Sequence, residues 1–180
     1  MNLSVEWELA ERGALHLVFV SMQLFLFRHG ERDNSFAKNQ PLNSRGREQA
    51  QMIAQEVASG SLPRPQLLFV SPKIRTQQTF APTAQLAGIE LQVVPELDER
   101  LTSESAREFT ERVRFCLSVL ESQTAVTYAC SHLDWLEEAL PAIPSPENLL
   151  TFHYESWAPA QFLEFEIRDG LWNVRRLGPI

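Results

Sequence analysis

The 180 residues include 23 acidic and 16 basic side chains, a formal net charge of −7, so no general positive field is available to attract nucleic acid or an anionic membrane. Hydrophobic residues at 44% and charged ones at 22% exclude a disordered or fibrous polymer and predict one globular domain over residues 1–180. Two cysteines, Cys116 and Cys130, are too few for a disulfide framework and read as free thiols of a reducing, cytoplasmic compartment.

In chain order, the first apolar stretch, "ALHLVFVSMQLFLF", is broken by His16, Ser21 and Gln23 and falls short of the ~20 residues a membrane helix needs. It follows acidic "VEWELAER", unlike the basic start of a signal peptide. Residues 1–21 read either as an extra strand pair around Gly13 or as an extension ahead of the core. Four short runs rich in β-formers then read as strands buried on both faces: "QLFLF" (23–27), "QLLFV" (66–70), "LQVV" (91–94) and "AVTYAC" (125–130).

Helical patterns lie between them. "SRGREQAQMIAQEVASG" has Asn43 or Ser44 as a cap, an apolar stripe of Ala50, Ile53, Ala54 and Val57, and Gly60 as a stop. "SPKIRTQQTF" places Ser71 at an N-cap and Pro72 at the first helical position, with Pro82 expected to kink or end the helix. "ESAREFTERVRFCLSVLES" sets Phe109, Val113, Cys116 and Leu120 on one face, and "LDWLEEAL" is a shorter helix ended by Pro141. "QFLEFEI" and "LWNVRRL" read as a hairpin turning at Asp169-Gly170. Alternation of strands and helices predicts an α/β three-layer sandwich, a mainly parallel central sheet flanked by helices.

Ligands of such sheets sit beyond the carboxyl ends of the strands, and three ends here are loaded with charge. The first strand runs into "RHGE", the second into "SPKIRTQQT", and the last into "SHLDW". Arg28, His29, Arg75 and His132 therefore converge from three segments. Alone, a histidine after a strand is an ordinary hydrogen-bonded residue, and an arginine in a first helical turn is opposed by the helix dipole. Together they fit an anion that arginine forks and backbone N–H groups hold in common. The chemistry this suits is phosphoryl transfer: guanidinium groups clamp the phosphate oxygens while a neutral imidazole attacks phosphorus. Gly30 lets backbone approach closely.

"LFLFRHGE" (24–31), "PLNSRGREQA" (41–50), "SPKIRTQQT" (71–79) and "ACSHLDWL" (129–136), in that order, resemble the histidine phosphatase superfamily, the phosphoglycerate-mutase-like fold. The resemblance implies that His29 is the nucleophile that becomes phosphohistidine, that Arg28 and Arg75 bind phosphate, and that His132 is a second pocket histidine contacting the phosphoryl group. It also implies no metal and no cofactor, since arginines and imidazoles supply the positive charge. The proton donor falls in "PELDERLTSES", where Glu96, Asp98 and Glu99 are candidates; the Leu97-x-Glu99 spacing favours Glu99, although a solvated acidic loop explains these residues equally. Leu133 stands where the family usually has glycine.

The short stretch between Arg75 and His132, much of it one helix, leaves no room for the lid insertions of true mutases or phytases. It points to an open site like that of the compact SixA-type phosphohistidine phosphatases or small broad-specificity phosphatases, acting on a phosphorylated small molecule or a phosphoprotein. Two other readings are a phosphate- or phosphoprotein-binding member with little turnover, and a phosphoglycerate-mutase-type phosphotransferase. The natural substrate and the oligomeric state are not encoded in any motif. Cys130, within a strand, reads as packing; Trp135 and Trp157 either border the pocket or pack; His16 and His153 have no constellation around them. Arg32 and Asn34 either select substrate or are solvated, and Glu31 has no assigned role.

Overall fold

A computed structural model describes residues 22–35, 39–150 and 157–178. The readings made for residues 1–21, His16 and His153 lie outside them. The described residues form six strands, β1 (Met22–Arg28), β2 (Leu67–Val70), β3 (Leu91–Val93), β4 (Thr127–Ser131), β5 (Phe162–Arg168) and β6 (Leu171–Gly178). Four helices join them: α1 (Ser44–Ser59), α2 (Ile74–Ala87), α3 (Ala106–Glu121) and α4 (Leu133–Ala139). The single sheet has the order β3-β2-β4-β1-β5-β6, with β1 to β4 mutually parallel and the last two strands antiparallel.

The period-two alternation of the strands sends side chains to two cores. Phe25 and Phe27 of β1 meet Ile53 and Val57 of α1 and Phe80 of α2 on one face, whereas Leu24 and Leu26 meet α3 and α4 on the other. The three-layer α/β architecture expected from the pattern is thus present. Phe27 packs edge-on against Phe80, 5.1 Å between ring centres, which fixes α2 against β1 and with it the distance from Arg75 to His29.

The helix ends follow the expected chemistry at α1, where the Asn43 side chain accepts from the Gly46 N–H and Gly60 closes the helix with a positive φ. A capping box of Ser105 and Glu108 starts α3. Two expectations for α2 need correction. The helix begins at Ile74, after Lys73, so Pro72 precedes it and Ser71 does not cap it; the Ser71 hydroxyl is committed to His132 instead. Nor does Pro82 end the helix, which continues to Ala87. Its missing hydrogen bond costs about 3 kcal/mol, and burial of Phe80, Ala84 and Ala87 on the sheet offsets that loss.

The Asp169-Gly170 turn is as expected: both residues have positive φ, and Arg168 pairs with Leu171 across a two-residue loop.

Candidate active site

The chain leaves β1 towards β2 through α1 on one face, and leaves β4 towards β5 through α4 on the other. Adjacent strands with diverging connections open a crevice beyond their carboxyl ends. There His29 N–H donates to the Ser131 carbonyl (3.0 Å) and Ser71 N–H to the Cys130 carbonyl (3.3 Å), so the ends of β1, β4 and β2 are tied together. A cleft of about 280 Å³ lies above them. It is lined by Arg28, His29, Arg32, Arg75 and His132 and by Glu99, Leu133, Asp134 and Glu137. Four residues expected from the sequence to converge do so.

His29 is only 6% exposed. Its Nδ1 lies 2.7 Å from the Gly30 carbonyl oxygen, which can only accept, so Nδ1 carries the proton. Nε2 then bears a lone pair, and among the described residues nothing is hydrogen-bonded to it. Burial pushes the His29 pKa down to about 4, with Arg75, Arg28 and Arg32 acting in the same direction against the Gly30 hydrogen bond. Because the folded pKa lies below the ordinary 6.5, His29 is neutral above pH 5 and protonates only as pH falls through about 4. Proton NMR of the imidazole C–H signals, with His29→Ala identifying the resonance, is expected to give a midpoint near 4. A midpoint of 6 or above would refute the electrostatic reading.

Arg28 donates from Nη1 to the Trp157 carbonyl. Its backbone N–H donates to Gln161 (2.9 Å), and its carbonyl accepts from Ala160 (3.1 Å). Burial and then Arg32 lower its pKa, while Glu137 opposes them. Arg75, 2% exposed, points from the first turn of α2 beneath the cleft. Its Nη2 donates to Glu99 Oε2 (2.5 Å) and to His132 Nδ1 (3.1 Å). With Nδ1 accepting, His132 carries its proton on Nε2 and donates it to Ser71 Oγ, 2.8 Å away. Burial, reinforced by Arg75, holds His132 far below the ordinary imidazole range, so it is neutral. Both its nitrogens are engaged by protein, and its direct partner in the cleft is Arg75. The two imidazole rings lie 5.3 Å apart.

Of the three candidate acids, only Glu99 lines the cleft. It is 34% exposed and bridges Arg75 and Lys73 (3.1 Å). Asp98 sits behind it, 3.6 Å from Lys73 and 3.5 Å from His132 Nε2, with burial raising its pKa. For Glu96 it is the backbone that is engaged: its carbonyl accepts from Arg112 and from the Trp135 indole.

The Gly30 approach is to protein. A Cβ there would come 2.9 Å from the Gly46 carbonyl, and one on Gly46 would come 2.1 Å from the Glu31 carbonyl. The RHGE turn is thereby seated on the first turn of α1. Glu31 belongs to that seat, accepting from Asn43 Nδ2 at 2.6 Å. Arg32, read from the sequence as either selecting substrate or solvated, lines the cleft, as do Asp134 and Glu137, which the sequence did not single out; these two fall three apart on α4, a spacing that puts them on one helix face. Cys130 and Trp135 are buried packing residues, with the Cys130 thiol pushed up by burial. A larger groove of about 560 Å³ between α1 and α2 contains neither histidine nor paired arginines.

The fold class is a phosphoglycerate-mutase-like three-layer α/β sandwich. Residues 24–103 match the histidine phosphatase superfamily (branch 1). Among solved structures, the chain is similar to the protein histidine phosphatase SixA complexed with tungstate, at 20% identity and a TM-score of 0.66, covering 87% of this chain and 96% of that one. It is similar to a phosphoserine phosphatase from Entamoeba histolytica in complex with 3-phosphoglyceric acid, at 15% identity and a TM-score of 0.70, covering 88% and 98%. It also resembles the mycobacterial glucosyl-3-phosphoglycerate phosphatase, at 15% identity and a TM-score of 0.62, covering 86% and 97%. No curated protein matches by sequence.

Proposed function

We propose that this chain is a phosphatase that hydrolyses phosphomonoesters or protein phosphohistidine through a phosphorylated His29. One observation carries the reading: His29 donates Nδ1–H to the Gly30 carbonyl and keeps an unprotonated Nε2 in a cleft shared with Arg28, Arg32 and Arg75. Nε2 attacks phosphorus, the N–P bond forms, and the bond to the leaving oxygen breaks. That oxygen keeps the electron pair of the broken bond and receives, through Glu99, the proton that the phosphate monoanion brings in. Water then attacks phosphorus as the N–P bond breaks and its electron pair returns to Nε2; the proton of the water passes through Glu99 to the departing phosphate, and His29 is free again. The arginines stabilise the charge spread over the phosphoryl oxygens, so the reaction needs no metal and no cofactor. His132 acts by holding Arg75.

The names of the solved relatives, a protein histidine phosphatase, a phosphoserine phosphatase and a sugar-acid phosphatase, span both substrate classes of this proposal. Against a mutase stand Glu99, Asp134 and Glu137, acidic residues lining the same cleft that would repel the second anionic group of a bisphosphorylated primer. The two cysteines are free and buried, which fits a reducing compartment such as the cytoplasm. No helix among the described residues is long and apolar enough to cross a membrane.

Hydrolysis of 4-nitrophenyl phosphate is expected to be unchanged by a chelator and inhibited by vanadate. Abolition by the chelator would sink the metal-free mechanism. Tight phosphate binding without labelling of the protein during turnover would favour the binding-module reading instead. A panel of phosphorylated metabolites and a phosphohistidine protein, assayed on wild type and His29→Ala in parallel, selects the substrate class.

A further inference from the structure

Glu99 stands in a loop between a 3₁₀ turn (Pro95–Leu97) and α3, and an exposed acidic loop has no intrinsic reason to hold one conformation. Here it is held from outside. Arg112, on the second turn of α3, donates Nε–H to Glu104 Oε1 and one Nη2–H to Glu104 Oε2, both at 2.8 Å, the fork geometry of a bidentate pair. Its Nη1 donates to the carbonyls of Glu96 and Asp98, both at 2.9 Å, and the other Nη2–H to the Glu99 carbonyl at 3.2 Å. All five guanidinium N–H groups are thereby spent on the stretch 96–104, three of them on the backbone of the acid loop. The guanidinium also lies over the Phe109 ring, 5.0 Å from its centre, on the buried face of the helix. Pairing with Glu104 raises the Arg112 pKa, so it is a permanent cation, and the same pairing lowers that of Glu104.

A surface ion pair would involve one or two of these donors and contribute little. A guanidinium with every donor used, half-buried and aimed at the carbonyls of Glu96, Asp98 and Glu99 in the segment that presents a carboxylate to Arg75, fits a different task. We infer that Arg112 is a positioning residue, which fixes the 96–99 backbone so that the Glu99 carboxylate stands at the edge of the phosphate cleft. The inference rests on the reading of Glu99 as the proton donor. Lysine cannot take over the role, because one ammonium does not reproduce a planar five-donor fork.

The test compares kcat/KM for an alkyl ester, glycerol phosphate, with that for 4-nitrophenyl phosphate, whose leaving group departs with little need of a proton. Glu99→Gln should raise the aryl-to-alkyl ratio by about 10²-fold, the usual size of a general-acid contribution. Arg112→Lys is expected to raise the same ratio by about tenfold and to add no more than a few-fold in the Glu99→Gln background, because the two act as one unit. Equal losses on both esters, or full additivity in the double variant, would overturn the positioning role. Should Arg112→Lys not fold, Glu104→Gln, which weakens the fork while leaving Arg112 in place, must shift the ratio in the same direction or the inference falls. If Glu99→Gln leaves the ratio unchanged, the proton-donor assignment fails and takes the inference with it, a result visible in that single variant alone.

Discussion

Replacing His29 with alanine is expected to lower phosphatase activity by about 10³-fold or more, the scale seen when a covalent nucleophile is removed. The side chain is buried and its Nδ1 bond is to the neighbouring Gly30 carbonyl, so the deletion removes no side-chain hydrogen bond between elements, only the ring contact with His132, and the fold should persist. The arginines remain, and vanadate or phosphate should still bind. Labelling the protein with radioactive phosphate during turnover should vanish along with activity. Full activity in this variant, or labelling that survives it, would place the nucleophile elsewhere.

The second large effect concerns Glu99, whose carboxylate is paired with Arg75, an arginine of the proposed phosphate site. The Glu99 carboxylate lies 2.5 Å from Arg75 Nη2, a contact between a nearly inaccessible guanidinium and a one-third exposed acid. A bound phosphate competes for that donor. Neutralising the acid in Glu99→Gln should therefore tighten product inhibition by phosphate by about three- to tenfold, a modest factor because the exposed end of the pair is screened by solvent. The same variant slows hydrolysis of alkyl esters. Tighter binding together with slower chemistry separates this residue from one that only shapes the pocket, whose loss would weaken both. Lys73, 3.1 Å from the other Glu99 oxygen, should hold the carboxylate at the cleft edge when phosphate competes for Arg75.

Much of this site was legible in the chain because its residues break the local rules of the elements that carry them. Arg28 and His29 follow a run of four core residues, and Arg75 sits in a helical first turn where a cation is disfavoured. Those conflicts pointed to an anion. Residues that obey local rules hid their roles. Ser71 reads as a cap and instead receives the His132 Nε2–H; Arg112 reads as one more charge on an amphipathic helix and instead clamps carbonyls on a loop before it. Glu31, to which the sequence assigns no role, seats the RHGE turn on α1. Pro82 misled in the other direction, since a local penalty was outweighed by packing against the sheet. Each of these depends on which elements meet in space. The pairing of β1 with both β4 and β5 is likewise invisible to periodicity, which reports that a strand is buried and not by what.

The hairpin of β5 and β6 has a consequence for the order in which the pocket comes into being. Arg28 leans on Trp157, a partner 129 positions further along the chain, and β1 lies between β4 and β5, both of which are synthesised long after it. A chain leaving the ribosome displays His29 early, at the end of a strand with neither neighbour. Until residues 157–168 have been added, the arginine beside that histidine lacks its rear support. Folding must close these distant contacts late, and the capacity to capture phosphate arrives with them rather than growing in step with the nascent chain.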